Sequence, residues 1–76
     1  MSHIAPLGKQ VAGTHYTDMA IQPVQYIVRN KLGYLEGNVI KYISRHKAKG
    51  GAEDIKKAIH YCELILQTQY GDKDGD

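Results

Sequence analysis

The adjacent glycines Gly50 and Gly51 constrain the fold most, because they separate two stretches with helical periodicity and permit a sharp turn between them. After them, Glu53 and Asp54 supply an acidic first turn, and a helix is expected from about Ala52 to about Gln69. With about 100° of rotation per residue, Ile55, Ala58, Ile59, Cys62, Ile65 and Leu66 fall within an arc of roughly 120°, which is expected to be the core face. Glu53, Lys57, His60 and Leu64 lie opposite, with Tyr61 at the edge. Before the glycines, a helix is expected to begin between Glu36 and Asn38 and to end at Lys47 or Lys49, its basic last turn suiting the negative end of the helix dipole. Val39, Ile40 and Ile43 share one side of it, while Asn38, Lys41, Tyr42 and Arg45 fall within about 100° on another. Across the glycine turn the two polar faces can meet.

Upstream, Pro23 suits the first position of a helix and Gly33 suits the left-handed residue after a helix end, so a first helix is expected between them, lined by Val24, Ile27, Val28 and Lys31 or Leu32. Pro6, Gly8 and Gly13 interrupt any period before Thr14, and the last six residues are short, polar and terminal. These features predict an all-α, small three-helix domain: an extended N-terminal arm over 1–14, a single helical domain over 15–70 and a disordered tail over 71–76.

A chain of 76 residues makes one domain at most. At this size only about 60% of the unfolded surface is removed from water, so one core is marginal. The single Cys62 cannot form an internal disulfide, and no Cys/His spacing resembles a structural zinc site, which leaves oligomerisation as the expected reinforcement. A homo-oligomer is therefore the expected assembly. There is no apolar run of about 18 residues and no basic-then-apolar leader, so no membrane partner is expected, and a reducing cytoplasm fits best. A net charge of +2 is too slight for duplex nucleic acid, which needs a dense basic face. A small anion remains possible.

The polar stripes have two readings. Lys, Arg and Glu normally lie in water, so the stripes can be solvated faces. Asn38 and Tyr42, however, are modest helix formers able to orient a ligand by hydrogen bonds, and Lys41, Arg45 and Lys47 then face phosphate. Glu53 can hold Lys57 or Arg45, or meet a ligand amine. His15 and Tyr16 form either a packed turn or a lid that stacks on a base or touches phosphate. No His pair has the i, i+4 spacing of helical metal ligands, so no metal site is expected, and Cys62 lies on the apolar stripe without an activating base. The GxxxxGK[ST] order of a phosphate loop is absent, which excludes a conventional nucleotide kinase fold.

The series HY, IQPVQYI, GNVIKYISRHKAKGG and EDIKKAIHY, from His15 to about Leu66, closely resembles the small bacteriophage domain known as SaV-like. The resemblance implies a helical phage protein acting in the cytoplasm of the infected bacterium. Its family includes a phage nucleoside monophosphate kinase lacking the usual phosphate loop. On matching positions it implies a shared surface made from His15, Tyr16, Gln22, Pro23, Asn38, Lys41, Tyr42, Arg45, Lys47, Gly50, Gly51, Glu53, Asp54, Lys57 and Tyr61. Three functions are then expected to compete. The first is capture of a nucleotide or nucleotide-derived host immune signal at His15, Tyr16, Asn38, Lys41, Tyr42, Arg45, Lys47, Glu53, Lys57 and Tyr61, with no cofactor. The second is a nucleotide kinase, which alone would require ATP and Mg2+. The third is inhibition of a host protein through the helical surface.

Overall fold

The computed structural model of the chain describes Tyr16 and residues 18–71. The expected arm over 1–14, His15 and the tail beyond Gly71 lie outside the described residues. Three helices follow in order: α1 (Pro23–Arg29), α2 (Tyr34–Arg45) and α3 (Ala52–Gln69), with no strand among the described residues. The all-α reading and the bounds of α3 hold. α2 and α3 form an antiparallel hairpin, and α1 packs on α2 alone.

α1 begins at Pro23, where the missing N–H would have had no helical partner. The Gln22 N–H instead donates to the Gln25 Oε1 at 2.8 Å. The helix does not continue to Gly33. It stops at Arg29, the Leu32 N–H donates to the Ile27 carbonyl at 3.0 Å, and the Lys31 N–H donates to the Val28 carbonyl at 3.1 Å. These two bonds make a Schellman motif whose left-handed position is filled by Lys31 at φ 58°. Gly33 is extended instead, at φ −84° and ψ −172°, and acts as the N-cap of α2, which starts two residues earlier than the sequence suggests and ends at Arg45 rather than Lys47 or Lys49. Residues 46–51 form the turn.

The α1–α2 crossing is close because Gly37 is buried there. A methyl group on it would meet the Ile27 Cγ2 at 3.2 Å. Ile27 turns inward while Val24 and Val28 stay exposed. At the far end of the hairpin the Gln69 side-chain amide donates to the Glu36 carboxylate at 2.8 Å, and this bond is the main reason the Glu36 carboxyl lies below its ordinary pKa.

The expected core face of α3 divides in two. Ala58 is buried against α2 and Ile55 and Ile65 are half-buried, but Ile59 is 53% exposed, Leu66 is 45% exposed and Cys62 is exposed. α3 meets α2 through Asp54, Ala58, Tyr61 and Ile65, about 70° around the helix from the centre of the apolar arc. Two strong side-chain interactions, an ion pair and a ring stack, set this rotation, and hydrophobicity alone does not reveal them.

Candidate functional site

The polar side of the α2–α3 hairpin is organised around one carboxylate and three tyrosine rings. Arg45, in the last turn of α2, donates from Nε to the Asp54 Oδ2 at 3.0 Å and from Nη2 to Oδ1 at 3.1 Å. The Gly50 N–H adds a bond to the same Oδ2 at 3.0 Å. Asp54 is 1% exposed, so this two-pronged pair shuts the 46–51 turn over a buried charge. The Arg45 hydrogen bond, ahead of its charge, holds the Asp54 carboxyl below the usual carboxylate range against the opposing effect of burial. Asp54 in turn raises the Arg45 pKa, with a smaller contribution from the Tyr16 hydroxyl.

The two glycines of the turn serve different ends. Gly50 has no room for a side chain, because a methyl there would collide with the Asp54 carboxylate. Gly51 has open space but a φ of +56°, a conformation that L side chains rarely adopt.

Tyr42 and Tyr61 stack across the helix interface with centroids 5.9 Å apart and planes 12° apart. Tyr34 meets the Tyr61 edge at 6.2 Å and His60 meets it at 5.7 Å. The hydrogen bond with Tyr34, followed by burial, pushes the Tyr61 hydroxyl pKa up. Around Tyr42 stand three cations: Arg45 Cζ at 4.8 Å from the ring centroid, Lys41 Nζ at 5.1 Å and Lys57 Nζ at 5.3 Å. Among the described residues, Asp54 is the carboxylate that contacts this group, and Arg45 and Gly50 take both of its oxygens.

Lys41 also lines two shallow cavities on either side of the α1–α2 contact. One, of about 180 Å³, is apolar and runs along Tyr16, Gln22, Pro23 and Ile27. The other, of about 330 Å³, has Ile27, Leu32, Gly33 and Gly37 as its base and Tyr34, Asn38 and Lys41 on its rim. The Asn38 Nδ2 donates to the Tyr34 carbonyl one turn back at 2.8 Å, which fixes the amide at that rim.

The structure thus gathers Tyr16, Asn38, Lys41, Tyr42, Arg45, Lys57 and Tyr61 on one side. Lys47 lies exposed in the turn and Glu53 exposed in the first turn of α3, both outside the ring cluster, and His15 lies outside the described residues. Asp54, not Glu53, holds Arg45. Tyr34 joins the cluster as a third ring from outside the expected ligand-binding residues, standing one helical turn before Asn38 and two before Tyr42. No group of three or more His, Cys, Asp or Glu side chains among the described residues is arranged to hold a metal ion, and no helix among them is long and apolar enough to cross a membrane.

Residues 11–63 match the model of a protein family of unknown function, DUF3310. The chain belongs to this family. The matched stretch contains every residue of the ion pair, the ring stack and the cation group, and it ends before Leu64 and the last turns of α3. No curated protein and no solved structure matches the chain.

Proposed function

We propose that the protein binds a nucleotide or a nucleotide-derived phosphate on the polar side of the α2–α3 hairpin and captures it without turnover. The carrying observation is that three cations converge on the Tyr42 ring while the carboxylate touching them is consumed by one. Like charges gathered around one ring repel, and an anion between them offsets the repulsion. A phosphate placed between Lys41 and Lys57 relieves that repulsion. The neighbouring groove, rimmed by Tyr34 and Asn38, offers a ring and an amide to the attached base or sugar.

Phosphoryl transfer would need a carboxylate to hold magnesium beside the phosphates. Both Asp54 oxygens are engaged, which leaves the exposed Glu53 as the acid nearest in sequence. This favours capture over the kinase reading. The resemblance to SaV-like phage domains supports a setting in the cytoplasm of an infected bacterium, where the captured molecule would be a nucleotide-derived immune signal of the host.

A thermal-shift and calorimetric screen against nucleotides, cyclic dinucleotides and ADP-ribose derivatives tests the proposal. A true ligand at a hundred times its Kd stabilises by about 2.7 kcal/mol, a rise in Tm of roughly 10–20 °C for a domain of this size. Lys41→Ala and Lys57→Ala should each weaken binding roughly tenfold with the unliganded Tm little changed. If no compound in these classes shifts the transition, capture is refuted.

A further inference from the structure

The half of the apolar arc that α3 does not use on α2 is a regular seam. Ala52, Ile55, Ile59, Cys62, Leu66 and Gln69 are spaced 3, 4, 3, 4 and 3 residues apart, the alternation by which one helix packs along another in a coiled coil. Among the described residues nothing covers its centre, where Ile59 and Leu66 are about half exposed. Among the described residues the buried ones are Pro23, Gly37, Asp54 and Ala58, so no large aliphatic or aromatic side chain there is buried. A domain of this size without such a core is only marginally held by its own packing and gains from a covering surface.

We propose that the seam binds a second copy of this chain with the two α3 helices antiparallel. The charges beside the seam select both partner and direction. Lys56 and Glu63 lie exposed on the edge away from α2, seven residues apart and therefore at equivalent seam positions. In an antiparallel pair with Ile59 facing the partner's Cys62 and Ile55 facing the partner's Leu66, Lys56 of each copy comes beside Glu63 of the other, and two opposite-charge pairs form by symmetry. A parallel pair would bring these two edge charges instead against the α2-facing edge, occupied by Ala58 and Ile65. On α2, Ile43 is 47% exposed and falls on the same side of the hairpin as the seam, which widens the surface to be covered.

Light scattering and sedimentation of the full chain at about 100 μM, a concentration at which a micromolar dimer is nearly saturated, should give twice the chain mass. Leu66→Glu should give a helical monomer, since that side chain is half exposed and its replacement leaves the α2 contact intact. Lys56→Glu should weaken the dimer at least tenfold and Glu63→Lys added to it should restore it. A wild-type monomer at this concentration, or a dimer that Leu66→Glu leaves intact, overturns the proposal. A double reversal that fails to restore association overturns the antiparallel arrangement.

Discussion

Arg45 shows how much one residue's role depends on what its side chain meets. On a helical wheel it lies off the apolar face, so its removal should affect only a ligand. In the fold it neutralises a carboxylate that is 1% exposed, and deleting one partner of a buried pair leaves the other charge uncompensated. Arg45→Ala is therefore expected to lower the Tm by on the order of 10 °C, read by circular dichroism, with Arg45→Lys recovering only part because a point charge cannot serve both oxygens. A change of less than about 2 °C would make the pair a surface ornament, the ordinary fate of exposed ion pairs. The same pair sets the acid limit of the fold. Asp54 is more acidic folded than unfolded, so its contribution is complete above the unfolded value near 3.8 and is lost as pH falls through the lower folded value. Thermal unfolding followed from pH 5 to pH 2 should fall less steeply in Asp54→Asn than in the wild type across the region below about pH 4.

Helix ends carry a second kind of cost. Lys31 ends α1 in the left-handed region at φ 58°, where a side chain costs about 1 kcal/mol and glycine does not. The position is exposed, so Lys31→Gly is expected to raise Tm by about 4–8 °C with no change in helix content. A lower Tm would mean that the lysine stem makes a contact worth more than the strain. Lys31 also explains why this boundary was hidden in the sequence: the nearby Gly33 carried the usual sign of a helix end, while the residue that takes the left-handed turn is one that rarely does. α3 was legible from end to end because its glycines, acidic first turn and apolar period all agree. Which side of α3 meets α2 was not, since the choice rests on Asp54 and Tyr61, polar groups that a hydrophobic pattern discounts. The candidate site was legible as a stripe of residue types on each helix. Its centre was not, because the stacking of Tyr42 on Tyr61 and the capture of Arg45 by Asp54 depend on the relative rotation of two helices.

At the scale of the molecule, the α2–α3 hairpin has two working sides. Antiparallel packing puts Lys41, Tyr42, Arg45, Lys57 and Tyr61 on one, and Ile43, Ile59, Cys62 and Leu66 on the other. No residue belongs to both, and sites without shared partners contribute to stability nearly additively. Ligand binding and self-association should therefore be separable by linkage. Association ties stability to concentration, each tenfold dilution removing about 1.4 kcal/mol per dimer, so the wild-type Tm should fall by a few degrees per decade of dilution. In Leu66→Glu that dependence should vanish while the thermal shift caused by a phosphate ligand persists. In Lys41→Ala the concentration dependence should persist while the ligand shift shrinks. If Leu66→Glu removes both, the anion site is not built within one hairpin, and the second copy supplies part of it.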